Sequence, residues 1–306
     1  FRGIQALSEL MFYLPPPGST KSLYQACADP GDQSARLLVN APVTQIENLG
    51  HGFSLTTNGK PSTYVSHVIV AAPIWAAQLS INFKGFDTAT ELPWSVPTAM
   101  AEQHLIASCK VFFPLKGAYW AQGSKIPQIL VTDTFLQDAY GVSWGAANDA
   151  ALLASYTWED DAVKLLATDP ATLAANVLAK LDQITSTTVG EKVSNYVSGS
   201  GVVFQWTQQP TYRGCAKLYR QRNWAQCYDL MTYNQNFSAK SKLYFAGESY
   251  GTEGGWTEPA LRTALDAVIR LVNNTGGTFL NSFTIANYPQ FDNSIAPPEN
   301  YPQTGP

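Results

Sequence analysis

Hydrophobic and polar positions along the chain follow two periods, and the switches between them mark the elements. Ile4, Leu7, Leu10 and Met11 recur three and four apart, which predicts a short amphipathic helix over residues 3–14. The run Pro15-Pro16-Pro17-Gly18 stops it. Strand-like segments follow at Leu37–Ile46, Phe53–Thr57 and Tyr64–Ala72. The first two are linked through Gly50 and Gly52, the last two through Asn58-Gly59, a pair suited to a tight hairpin. Val68-Ile69-Val70-Ala71-Ala72 is apolar at every position, as in a strand covered on both faces. From residue 84 to about 158 the chain is strand-like, aromatic and rich in turn residues.

Helical spacing returns at 159–167. Asp169-Pro170 then supplies an N-cap and a proline at the first helical position of a second helix. Its stripe is Leu173, Val177, Leu178, Leu181 and Ile184. A strand at Val202–Trp206 precedes a loop rich in Tyr, Arg and Trp. The strand Lys242–Ala246 leads through a glycine-bearing turn into a helix over Thr257–Asn273. The apolar set of that helix is Ala260, Leu261, Ala264, Leu265, Val268, Ile269 and Val272, and Gly276-Gly277 ends it. The last thirty residues carry five prolines and read as an ordered wrap or a loose tail. The chain shows no internal repeat.

Composition narrows the function classes. A hydrophobic content of 45% suffices for a packed core, while only 14% of the 306 residues are charged. The net charge of −4, with no basic run, argues against nucleic acid as the main partner. No apolar stretch is long enough to span a bilayer. Cys27, Cys109, Cys215 and Cys227 form no CxxC pair and match no histidine spacing, so no metal site is expected; four thiols or one disulfide fit equally. Phe1 is not an initiator methionine, so a processed or trimmed chain is expected. Low Lys content and abundant Tyr, Trp and Asn lean towards an exported protein, while the sequons at Asn236 and Asn273 are short patterns that often arise by chance.

The densest chemistry lies in Leu243-Tyr244-Phe245-Ala246-Gly247-Glu248 followed by Gly254-Gly255-Trp256 and the helix. A buried strand there delivers a carboxylate to its C-terminal end. A glycine pair lets backbone approach a flat ligand. A helix N-terminus turns its free amides and positive dipole end towards that ligand. Reduced flavin, anionic along its N1–C2=O edge, is a group such a terminus stabilises. The plainer reading is an ordinary strand–turn–helix in which Glu248 caps the turn, but it leaves Trp256 and Glu248 together unexplained.

Tyr244–Val272 resembles the C-terminal flavin motif of the flavin-containing amine oxidase superfamily, and three further stretches match in the same order. Phe1–Leu14 is similar to the segment before the hairpin of the family's FAD domain. Asn40–Ile46 with Val68–Pro73 resembles its adenine-side strands. Ser108-Cys109-Lys110-Val111-Phe112-Phe113 resembles the strand whose lysine holds a water near flavin N5. Within the superfamily, Ala154–Ala162 is similar to the segment whose tyrosine, here Tyr156, bonds a substrate carboxylate in L-amino acid oxidases. In Tyr212-Arg213-Gly214-Cys215-Ala216, the place of the second cage aromatic of monoamine oxidases is held by Ala216.

The resemblance implies an α/β fold with discontinuous domains. Residues 1–83 are a segment of an FAD-binding, glutathione-reductase-like domain, and 84–235 are mainly a mixed-sheet substrate-binding domain. Residues 236–276 close the FAD domain, and 277–306 form a proline-rich tail. It also implies roles. Lys110 and Trp256 are the candidate catalytic residues. Tyr156, Trp158, Ala216 and Trp256 face the substrate. Val43, Trp206, Gly247, Glu248, Gly255, Trp256 and Thr257 face FAD, expected to be non-covalent although Cys215 lies near the position of a covalent link in monoamine oxidases. As plain protein chemistry, Lys110 would be a surface lysine, and Tyr156, Trp158 and Trp206 core aromatics.

The G-x-G-x-x-G unit that cradles a dinucleotide pyrophosphate is absent from these 306 residues, as is the arginine that would pair with the substrate carboxylate. The expected complement is a companion chain carrying both, left by proteolytic processing, with O2 as acceptor, an L-amino acid as substrate and a higher oligomer as the assembly. The alternatives are a monoamine or polyamine oxidase, a non-catalytic or inactive fragment, and a serine hydrolase. The last uses Gly247-Glu248-Ser249-Tyr250-Gly251 as its nucleophile turn. It is disfavoured because His51, His67 and His104 all precede Ser249.

Overall fold

The computed structural model describes residues 5–31, 36–145, 149–218 and 227–288. They pack as two units, each assembled from separate stretches: 1–41, 110–157 and 167–204 in the first, 42–109, 158–166 and 205–306 in the second. Packing thus divides the chain at other places than 83 and 235, where the expected division by ligand falls.

The chain opens with α1 (Gln5–Tyr13) and α2 (Leu23–Ala28). The first is the helix expected over 3–14, with Ile4 outside the described residues. The strand expected over Leu37–Ile46 begins only at β1 (Val43–Asn48). Asn40 takes φ 56° and Pro42 has no N–H for a ladder, so the strand begins only after them, and Leu37, Leu38 and Val39 are exposed. β1 pairs antiparallel with β2 (Phe53–Thr57), and β2 with β3 (Lys60–Val65). Asn58 and Gly59 join β2 to β3 at φ 51° and 74°, as a two-residue hairpin requires.

The strand expected over Tyr64–Ala72 is broken at Ser66 and His67. Tyr64 and Val65 stay in the hairpin, while β4 (Val68–Val70) leaves it for a strand far along the chain. α3 (Ile74–Ser80), β5 (Asn82–Lys84) and α4 (Ser95–Glu102) follow. α4 lies in a stretch read as strand-like. Its Pro97 stands in the first turn, where no N–H is needed, and so does not break the helix. β6 (His104–Leu105) completes this part of the second unit.

β7 (Ser108–Pro114) carries the chain into the five-stranded sheet of the first unit, with order β11-β7-β10-β9-β8. Its other members are β8 (Ile129–Val131), β9 (Asp138–Ser143), β10 (Ala150–Trp158) and β11 (Val202–Gln205). α5 (Glu159–Val163) is a shorter helix than expected over 159–167. α6 (Pro170–Val189) has the expected cap, with Thr172 N–H donating to Asp169 Oδ1 at 3.0 Å, and buries Leu173, Val177 and Leu181.

In the second unit β12 (Lys217–Leu218) pairs antiparallel with β6, and β13 (Leu243–Phe245) pairs parallel with β4. Phe53, Ile74, Val96, Met100, Tyr233 and Phe245 pack into its core. α7 (Thr257–Asn274) ends as the glycine pair requires. Gly276 takes φ 73°, and Gly277 N–H donates to Val272 C=O at 2.8 Å, closing a Schellman turn.

The burial of α7 follows its hydropathy only in part, with Ala267 and Ile269 buried. Leu261, Leu265 and Val268 are 41%, 56% and 48% exposed, while Thr263, Asp266 and Arg270 are buried. The buried charges satisfy each other, Arg270 Nε to Asp266 Oδ1 at 2.8 Å, and the Tyr288 ring lies 5.9 Å from the guanidinium. The segment after the helix thus reaches back to Arg270 through Tyr288, and Leu261, Leu265 and Val268 are left uncovered by the described residues. No described helix is long and apolar enough to cross a membrane.

Candidate functional site

β4 and β13 run parallel and end together, Val70 opposite Phe245. The turns that follow them, Ala71-Ala72-Pro73 and Gly247-Glu248-Ser249-Tyr250, line a cavity of ≈ 220 Å³ together with Leu105, Tyr212, Gly214 and Cys215. Ligands of parallel α/β sheets bind beyond the carboxyl ends of the strands, and this cavity occupies that position.

Several side chains hold these turns open. Gly247 has φ 137°, a conformation closed to residues with a Cβ. Its N–H donates to Thr263 Oγ1 at 2.8 Å, and the same hydroxyl reaches its carbonyl at 3.0 Å. The Tyr250 hydroxyl donates to Ala72 C=O at 2.8 Å and its ring stacks on Phe245 at 5.0 Å, tying one turn to the other. Complete burial pushes that phenol's pKa far above its ordinary value. Asn234 closes the outer edge of β13: its amide donates to Phe245 C=O and its carbonyl accepts from Phe245 N–H, both at 2.8 Å.

Glu248 is the hub of the cavity wall. Its Oε1 accepts from Gly255 N–H at 2.6 Å and from Lys217 N–H at 2.8 Å, and Ser249 Oγ donates to its Oε2 at 3.3 Å. It therefore both caps the following turn and lines the cavity. Gly255, at φ 80°, would bring a Cβ to 3.9 Å from that of Ala216, so these two predicted residues are neighbours. Trp256 follows as the N-cap of α7 and is 75% exposed; Thr257 is the first helical residue. Ser249 is buried, with its hydroxyl directed to the Glu248 carboxylate.

Trp206 packs edge-on against Tyr212, centroids 5.1 Å apart, and through it borders the cavity. Cys215 lines the cavity, and all four cysteines are free of disulfides. Val43 begins β1 opposite Thr57 and is half-buried against the core. Trp158 is the N-cap of α5. Glu159, at φ 50°, is anchored by His104 Nε2 to its Oε1 at 2.6 Å.

In the first unit, Lys110 on β7 and Tyr156 on the neighbouring β10 face each other, with Lys110 Nζ 4.5 Å from the ring centroid. A lone lysine in an apolar strand needs a partner, and the aromatic face supplies one.

The residues missed from sequence are the ones that support the site. Thr263 and Asn234 are polar residues inside packed elements, which burial alone reveals. Lys217 carried a readable signal, a single cation in Cys215-Ala216-Lys217-Leu218. It is 1% exposed, its Nζ donates to Gly251 C=O, and burial draws its pKa down to about 8 against the pull of Glu248, Cys227 and Glu253.

The profile of flavin containing amine oxidoreductases matches residues 7–272. Tryptophan 2-monooxygenase of Pantoea agglomerans pv. gypsophilae is 29% identical over 77% of the chain and 43% of its own length. L-amino-acid oxidase of Mus musculus is 28% identical over 79% of the chain and 37% of its own. The chain thus spans less than half the length of these curated relatives. Among solved structures, cyclohexylamine oxidase from Brevibacterium oxydans IH-35A superposes with a TM-score of 0.58 at 19% identity, over 78% of the chain and 49% of its own, a likeness of fold. The match from residue 7 to residue 272, across both units, is decisive: the chain belongs to the flavin containing amine oxidoreductase family.

Proposed function

We propose that the chain supplies the substrate-facing part and one wall of the flavin site of an FAD-dependent L-amino acid oxidase. The observation that carries this reading is Ala216 beside Gly255. In this reading an alanine beside Gly255 stands where an amine cage would need a second ring opposite Trp256, and it leaves room for an amino acid side chain. The relatives whose names specify tryptophan, phenylalanine or L-amino acids support the same substrate class.

The residues present fit a flavin. A cavity at two parallel strand ends, a glycine held at φ 137° and a helix N-terminus are the features a flat anionic ring system requires. A flavin held here would supply a hydride acceptor for the substrate Cα that O2 reoxidises with release of H2O2, the imino acid product hydrolysing to 2-oxo acid and ammonia. In this reading Val43 and Trp206 meet the cofactor with Gly247, Gly255 and Thr257, and Glu248 lies towards its ribityl or pyrophosphate region. Trp256 flanks the substrate amine. Trp158 borders the substrate, and Tyr156 donates to its carboxylate. Lys110 positions a water. A companion polypeptide supplies the pyrophosphate cradle and an arginine, within a higher oligomer.

Assaying the complete enzyme for H2O2 and 2-oxo acid against the twenty L-amino acids tests the reading. Turnover of amines alone would overturn it in favour of a monoamine or polyamine oxidase. The monooxygenase relatives give a second reading, in which one oxygen atom of O2 enters the product. Labelled O2 separates the two, since an oxidase leaves the organic product without that label.

Lys110→Met keeps the side-chain volume and removes the charge. It should slow flavin reoxidation at least about tenfold, equivalent to roughly 1.4 kcal/mol on the barrier, with flavin content near normal. Unchanged reoxidation in stopped flow assigns Lys110 to packing on Tyr156 alone. For Cys215, the expected linkage is non-covalent. Acid precipitation should release the yellow colour into the supernatant, and flavin retained on a peptide containing Cys215 would reverse that assignment.

A further inference from the structure

We propose that Lys217 is a positioning residue whose buried ammonium fastens the loop Gly251–Trp256 to β12, and so fixes Gly255 and Trp256 against Ala216. The fastening is geometric; its consequence for substrate rests on the reading of Trp256 and Ala216 given above.

The hydropathy of β12 is inverted. Lys217 is 1% exposed, while its neighbour Leu218 is 51% exposed. Pairing with β6 needs only backbone from either residue, so the strand itself gives no reason to bury the cation. Removing an ammonium from water is costly, and an apolar side chain would fill the same space without that cost. The groups facing the ammonium are Glu248 and Glu253 on the cavity turn and loop, and Cys227, which precedes the next helix.

Three contacts join Lys217 to the loop. Its Nζ donates to Gly251 C=O at the loop's start. Its N–H shares Glu248 Oε1 with Gly255 N–H, so one carboxylate oxygen clasps both segments. Its carbonyl oxygen lies against Gly254, where an added Cβ would overlap it. The loop is held at its beginning, middle and end. The neighbouring Ala216 accepts Ile106 N–H at 2.7 Å, so the strand side of the contact is fixed as well.

Hydrogen exchange of the complete enzyme tests the fastening in two independent variants, Lys217→Met and Gly254→Ala. The second forces the loop off β12 while sparing the lysine side chain. In both, amides of 251–256 should exchange at least about fivefold faster, with those of α6 unchanged, because the opening is local. KM for the amino acid should rise about fivefold with kcat within about twofold, since binding common to the ground and transition states is what is lost. Unaltered exchange at 251–256 in Lys217→Met overturns the proposal, whatever the activity. Loss of protection in α6 as well makes Lys217 a general folding residue and overturns it too. The local exchange pattern in an enzyme that oxidises no L-amino acid leaves the fastening standing and removes the substrate reading instead.

Discussion

Leu265→Asp should leave the fold of this chain intact and abolish its assembly into a flavoprotein. Leu265 is 56% exposed on α7, between Leu261 and Val268, so a charge there costs the isolated chain little, within about 0.5 kcal/mol. In the assembled protein the same stripe should be buried. Each such side chain then contributes about 1.5–3 kcal/mol, and a stranded carboxylate costs several more. A second feature points to the same complement. Ala246 N–H donates to Val70 C=O, so Phe245 turns its own backbone groups to the other edge of β13, which Asn234 already closes. Among the described residues β4 pairs only with β13, so the free edge of this two-stranded sheet is that of β4, where Ile69 is 39% exposed. A strand added there, followed by a helix covering Leu261, Leu265 and Val268, is what a dinucleotide-binding βαβ unit provides. Co-purification with a polypeptide carrying G-x-G-x-x-G, read with flavin absorbance, should succeed for wild type and fail for Leu265→Asp. A wild-type chain of 33.3 kDa that is monodisperse alone and colourless, or a variant that keeps partner and flavin, would sink the idea.

Sequence made local elements legible where one signal was sufficient. Asp169-Pro170 opens α6, Asn58-Gly59 makes the hairpin, and Gly276-Gly277 closes α7. It was less informative where tertiary partners decide. The continuous apolar run at Tyr64–Ala72 reads as one strand, yet its halves belong to different sheets, because β13 lies 173 residues on from Val70. The exposure of Leu261, Leu265 and Val268 on α7 was also beyond periodicity, which reports an apolar face but not what covers it. Gly247 and Glu248, which line the cavity, stand out in the sequence because a strand–turn–helix has no general need for a carboxylate beside a glycine at that turn. Thr263, Asn234 and Tyr250, which hold the same turns, look like ordinary helix, loop and core residues until their bonds are seen.

The proposed role of Tyr156 at the substrate carboxylate yields the sharpest test of substrate class, and Tyr156 is the residue to change. Tyr156→Phe removes one hydroxyl and keeps the ring, so the Lys110 ammonium retains its aromatic partner at 4.5 Å and β10 keeps its packing. If that hydroxyl donates to the substrate carboxylate, the bond is charge-assisted and worth roughly 1.5–3 kcal/mol. kcat/KM for an L-amino acid should then fall about ten- to over a hundredfold. The decarboxylated amine has no group for Tyr156 to meet, so its poor turnover should barely change. Ala216→Tyr should act in the opposite sense. Beside Gly255, a ring rebuilds the missing half of a cage opposite Trp256 and crowds out an amino acid side chain, favouring the amine. The comparison is kcat/KM for both substrates in wild type and the two variants. Equal loss for both substrates in Tyr156→Phe would return Tyr156 to the role of a core aromatic beneath Lys110, and with it the carboxylate contact would have to come from elsewhere.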